Sequence, residues 1–149
     1  MSTAAEKGLC VSDLFTELLQ QVNTESVGSS RVSDHLLHAF DAMFGEKFLH
    51  CLDMLDRGLV TEVTCPAGRS FIKVSDNLEG ISYLCSRHHR YCPCEAYATE
   101  VVSGKVYMCA HVLAAWLAEP FGKLNKTEVA DTEFAASLLR HAHNFCTVS

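Results

Sequence analysis

At 149 residues, 48% apolar and 20% charged, the chain is long enough for one domain with a substantial core, and its composition excludes a disordered, collagenous or long coiled protein. A formal charge of −6 argues against a protein that grips nucleic acid alone, which normally carries a strongly basic surface. The imbalance is local: residues 1–60 hold four basic and nine acidic side chains, while 63–109 hold five basic and four acidic. Any DNA contact is therefore expected to be weak, local or shared with a basic partner.

Met1 to Cys10 shows no apolar run flanked by basic residues, and later apolar runs are short and broken by charges. A soluble cytosolic or nuclear protein is expected. In such a reducing compartment the eight cysteines should not form disulfides, and the Asn125-Lys126-Thr127 sequon carries no weight. Cys10, Cys51, Cys65, Cys85 and Cys146 read as small buried apolar side chains. The last four residues match a prenylation box poorly, because Thr147 is not aliphatic and the residues before Cys146 are not polybasic.

In chain order, Val11, Leu14, Phe15, Leu18, Leu19 and Val22 repeat at helical spacing and predict an amphipathic helix over 11–22, with Ser12 as N-cap. Asn23 to Ser30 predicts a loop. Ser33 or Asp34 opens a second helix with a stripe of Leu36, Leu37, Phe40, Met43 and Phe44. Gly45 interrupts it, and a third helix through Phe48, Leu49, Leu52 and Leu55 ends at Gly58. His35, His38 and His50 have no ligand partners at a recognisable spacing and read as surface or core-edge residues. The period then shortens. Leu59–Cys65, the Pro66-Ala67-Gly68 turn, Arg69–Val74, a second turn over Asp76–Gly80, and Ile81–Cys85 predict a three-stranded antiparallel meander. A short helix is expected over 95–103, an apolar helix over His111–Ala118, and a last amphipathic helix over 127–144 with Val129, Phe134, Leu138 and Phe145 as anchors.

The chemistry concentrates at 92–111. Cys92-Pro93-Cys94 and Cys109-Ala110-His111 are separated by fourteen residues. Three thiolates and an imidazole make a complete tetrahedral donor set for one structural Zn2+, and soft sulfur ligands select zinc over magnesium or calcium. Pro93 stiffens the first pair. Cys109 and His111 stand at the start of a helix, whose dipole favours thiolate. Cys85, His88 and His89 lie close enough in sequence to replace one of the four. The 92/94/109/111 set is preferred because both pairs are tight and bracket a single loop. Four protein ligands close a zinc site, whereas catalytic zinc keeps a position open for water. No metalloprotease, deaminase or nucleotide-binding motif is present, so no catalytic residue is assigned and the chain reads as a binding module, not an enzyme. Arg87 to Tyr91 mixes basic and aromatic residues, as single-strand binders do. Arg87 and Arg90 are the candidate DNA contacts, against the alternative of a solvated loop, and Arg69, Lys73 and Lys105 would extend the patch if the strands align them.

The C-x-C…C-x-H pattern, behind a short sheet and ahead of an apolar helix, resembles the SWIM-type zinc finger. With Leu52-Asp53-Met54-Leu55-Asp56-Arg57, Pro66-Ala67-Gly68-Arg69, Tyr91–Ala98 and Cys109–Ala114, the resemblance extends over about 35–140 to the small SWIM proteins of the Shu complex. It implies a nuclear factor of homologous recombination, in DNA repair and meiosis. Such a factor pairs with a RecA-like recombinase paralogue and promotes or stabilises recombinase filaments on single-stranded DNA. The fold expected is α+β: N-terminal helices (1–58), the meander and zinc-bound SWIM finger (59–122), and a C-terminal helix and tail (123–149) in one compact domain. Exposed apolar stripes on 11–22 or 127–145 would offer a helix-in-groove contact, unless both helices pack on the core. The alternatives are a stand-alone nucleic-acid-binding zinc finger, then a ubiquitin-ligase or transposase accessory, and last a metal-dependent hydrolase.

Overall fold

A computed structural model gives the architecture, and it describes residues 11–28, 32–76, 80–85 and 91–147, with the side chains of 26–28 and 142–147 left aside. The elements run α1 (Val11–Gly28), α2 (Asp34–Phe44), α3 (Glu46–Asp56), β1 (Val60–Thr64), β2 (Ser70–Asp76), β3 (Ile81–Cys85), a π-helical turn (Tyr97–Val101), α4 (Ala110–Leu117), β4 (Asn125–Glu128) and α5 (Asp131–Thr147). The fold class is α+β as expected. Among the described residues, no helix is long and apolar enough to cross a membrane.

The sheet is mixed and four-stranded, in the order β3-β2-β1-β4. The antiparallel hairpins are those the β-branched runs predict, with Val60 opposite Val74 and Val74 opposite Tyr83. The expected three-stranded meander gains a fourth strand, because β4 runs parallel to β1 with Glu62 opposite Lys126. All four β4 residues are exposed. Asn-Lys-Thr-Glu therefore lacks the apolar alternation that marks a strand, and backbone pairing holds it. Asn125 Nδ2 donates to the Gly58 carbonyl at 2.9 Å and secures the entry. β4 occupies residues expected to start the last helix, so α5 begins at Asp131 and not at 127.

Because side chains alternate across a strand, the sheet presents two faces. Val60, Ile72, Val74, Tyr83 and Cys85 face the main core with α1 to α4. Phe15 is its aromatic hub, 2% exposed and in edge contact with Phe40, Phe44, Tyr107 and Trp116. Phe40 stacks on Phe48 and meets Phe121 edge-on. The opposite face carries a small second cluster, where Phe134 of α5 packs with Val63 and Cys65 and lies 4.8 Å from the Phe71 ring. Asp131 anchors α5 to the β1–β2 turn by accepting from the Ala67 N–H at 3.0 Å.

Three helical expectations are corrected. α1 continues through Gly28, across the loop expected from Asn23. Its last turns are polar, and Glu25 is bonded to the Ser33 backbone N–H and hydroxyl, so tertiary contact extends the helix past its apolar stripe. Ser12 lies inside the first turn rather than at the N-cap, and its carbonyl accepts from the Thr16 hydroxyl. The helix expected over 95–103 is wound wider at Tyr97–Val101, with the Val102 N–H reaching the Tyr97 carbonyl. Gly45 and Gly58, both at positive φ, end α2 and α3 where the sequence places them.

Most of the apolar stripe of α1 is used internally, with Phe15 and Val22 buried and Leu18 and Leu19 packed against the core, while Val11 and Leu14 stay exposed. On α5, Phe134 is buried while Leu138 and Leu139 stay exposed, Leu139 at 73%. The Phe145 side chain lies outside the described set. Phe15→Ala should destabilise the zinc-loaded protein by about 3–5 kcal/mol in chemical denaturation, the range for an aromatic removed from a close-packed core.

Candidate metal centre

Cys92 and Cys94 lie in the main core with Tyr83 and Cys85 of β3. Cys109, with fourteen residues between it and Cys94, caps α4, and His111 follows in the first turn of that helix. All four side chains are buried, and their ligand atoms lie within 4.8 Å of one another. A tetrahedral zinc with ligand bonds of about 2.0–2.3 Å has edges of about 3.3–3.8 Å. The 3.6 Å separation of Cys92 Sγ and His111 Nδ1 matches such an edge. The residues present fit one zinc ion, and they are the four that the sequence spacing singles out.

Backbone N–H groups support the sulfurs. The Tyr97 N–H donates to Cys94 Sγ at 3.3 Å, and the Val112 N–H donates to Cys109 Sγ at 3.5 Å. The first caps the start of the turn at 97–101. The second is an N-cap made by a cysteine sulfur in place of a hydroxyl or carboxylate oxygen. The Tyr83 ring packs 4.5 Å from the imidazole of His111.

The protonation pattern of the cluster follows from this crowding. Hydrogen bonds from Cys109 and Cys92 push the Cys94 thiol far below its ordinary value. Burial pushes Cys92 up, and the hydrogen bonds to Cys92 and Cys94 push Cys109 up. Burial works against a charged His111, but hydrogen bonds to Cys109, Cys94 and Asp76 outweigh it and raise the group to about 10. Zinc must displace the protons of Cys92, Cys109 and His111, because only the deprotonated groups are ligands.

Of the rival ligands, Cys85 is buried at the end of β3 and stands outside the converging set. His88 and His89 lie outside the described residues, as do Arg87 and Arg90. Cys51 and Cys65 are buried, as apolar fillers should be, and burial pushes the Cys51 thiol well above its usual range. Cys10 and the Cys146 side chain are outside the described set. Lys73 pairs with Leu84 on the outer sheet face, opposite the metal side, and lines a groove of about 400 Å³ with Phe71, Val129 and Arg140. Arg69 lies just before Ser70, at the end of β2 beside which β3 finishes, with Cys85 opposite Ile72.

The sequence reading missed two residues at the centre. Asp76, expected in a turn, is the last residue of β2, and its carboxylate is 1% exposed. Its Oδ2 lies 2.7 Å from His111 Nε2 and its Oδ1 3.3 Å from Nε2 of His50 on α3. The signal was the i, i+2, i+4 register Ile72, Val74, Asp76, which turns all three side chains inward.

Comparison with known proteins agrees with the donor set. A zebrafish (Danio rerio) protein named zinc finger SWIM domain-containing protein 7 is 31% identical over 134 residues, covering 89% of this chain and 95% of its own. The chain belongs to this SWIM-type zinc-finger family. The mouse (Mus musculus) protein of the same name is 27% identical over 88% of this chain and 86% of its own, and the human (Homo sapiens) protein 28% over 83% and 88%. No family profile and no solved structure matches the chain.

Two outcomes are expected. Elemental analysis of purified protein should find one zinc per chain in the wild type and in Cys85→Ser, but loss of zinc in Cys109→Ser or His111→Ala. The ligands sit between the sheet, α4 and the loop, so metal loss should loosen the whole core rather than the C-terminal half alone. Zinc affinity in chelator competition should fall steadily as pH is lowered from about 8 to about 5.5. The His111 proton must be displaced at every pH below about 10, and proton competition for the thiolates adds to it.

Proposed function

We propose that the protein is a non-enzymatic adaptor in homologous recombination. It pairs with a RecA-like recombinase paralogue in the nucleus and, through that complex, promotes or stabilises recombinase filaments on single-stranded DNA. The observation that carries this reading is the closed centre of three sulfurs and one nitrogen inside a chain that matches small SWIM proteins over nearly its full length. Four buried protein donors satisfy a tetrahedral ion and leave it no position for water, which suits a staple and not a catalyst.

Charge supports a shared rather than an autonomous hold on DNA. The chain is acidic overall, and two of its basic side chains, Lys47 and Arg57, are spent in ion pairs with Glu100 and Asp53. The exposed Leu138 and Leu139 on α5 and the exposed Val11 and Leu14 on α1 give apolar footholds for a protein partner. Arg87 and Arg90 remain the basic residues assigned to DNA in this reading.

Affinity purification of the tagged protein from its own cells should recover a near-stoichiometric RecA-like ATPase. A monomeric, zinc-loaded protein without that partner would sink the adaptor reading in favour of a stand-alone nucleic-acid-binding finger. In the assembled complex, Arg87→Ala/Arg90→Ala should leave the fold intact and lower the salt slope of single-strand binding by about 1 per lost phosphate contact. Unchanged DNA affinity would remove these two arginines.

A further inference from the structure

A carboxylate at the inner end of a strand is costly to bury unless it is paired. Asp76 follows Ile72 and Val74 on the core face and is as buried as they are. Its two oxygens are divided between two histidines from different elements. Oδ2 meets Nε2 of His111 on α4, and Oδ1 meets Nε2 of His50 on α3. The 2.7 Å contact is short, as expected for a charge-assisted hydrogen bond.

We infer that Asp76 is a positioning residue of the metal centre, fixing His111 so that Nε2 carries the proton and Nδ1 is turned to the three sulfurs. His50 holds the carboxylate from behind. An imidazole has one lone pair for a metal when its other nitrogen keeps the proton. The carboxylate holds that proton on Nε2, and Cys92 Sγ stands 3.6 Å from Nδ1 on the opposite side of the ring. Tyr83, packed 4.5 Å from the His111 ring, restricts its rotation. The same triad ties the end of β2 to α3 and α4, so zinc occupancy and the seating of α3 are joined through one side chain. The inference rests on the zinc centre but not on the recombination role. If the wild type held no zinc, the centre itself would fail, which is a different result from those below.

The test compares wild type, Asp76→Ala, Asp76→Asn and His50→Gln, each measured as the folded, zinc-loaded full chain. Zinc affinity comes from chelator competition, and the His111 nitrogen state from long-range proton–nitrogen correlation spectra. The wild type should show a metal-bound Nδ1 and a protonated Nε2. Asp76→Ala should lose about 10–100-fold in zinc affinity, the usual cost of removing a group that orients a ligand. Asp76→Asn keeps the shape and an accepting oxygen but not the charge, and should lose less. It also keeps the proposal testable should the alanine variant fail to fold. His50→Gln should have the smallest effect. A metal-bound Nε2 in the wild type would overturn the assignment. So would zinc affinity within about twofold of wild type, with unshifted His111 nitrogens, in both Asp76 variants. That second result would leave Asp76 as a packing residue only, in which case its variants lower global stability equally with and without zinc.

Discussion

Everything in this chain is arranged around the meeting of two short segments, Cys92-Pro93-Cys94 and Cys109-Ala110-His111, inside the core. The four donors are buried and within 4.8 Å of one another, a density of thiols and imidazole that only a metal makes favourable. The crowding favours protons on Cys92, Cys109 and His111 and disfavours one on Cys94, so zinc and protons compete for the same atoms. Burying the four donors in the core couples metal binding to folding, because an unfolded chain cannot bring them together.

The rest of the fold supplies walls for that centre. α4 is apolar nearly all round, with seven buried residues in eight, and it packs between α3 and the inner sheet face. The sheet contributes Tyr83 and Asp76 to the surroundings of His111, and α3 contributes His50. The centre is thus bounded by the first helical layer, the sheet and the finger together. On the other side of the sheet, α5 rests on a smaller cluster at Phe134 and exposes Leu138 and Leu139. The protein is stapled on one face of its sheet and only lightly covered on the other.

Much of this was legible in the sequence, and the physical reasons are specific. The four ligands stand in two tight pairs of chemically distinctive residues, so spacing alone announces them. The helices α2 and α3 and the hairpin strands carry apolar periods of 3.6 or 2, bounded by glycines at positive φ. β4 lacks such a period because none of its side chains is buried. The polar end of α1 was illegible for a related reason, since it is held by the bond of Glu25 to Ser33 and not by an apolar stripe.

The sequence by itself determined the zinc donors, the α+β class and the SWIM-type kinship, because these rest on local spacing and on residues whose chemistry has few other uses. The tertiary structure decided what stands behind the donors. It set Asp76 against His111 across 35 residues and His50 against Asp76 across 26. It moved Lys73 to the far face of the sheet and left Cys85 beside the cluster but outside it. Those outcomes depend on strand register and on which helix lies over which strand, and both arise from packing between segments distant in the chain.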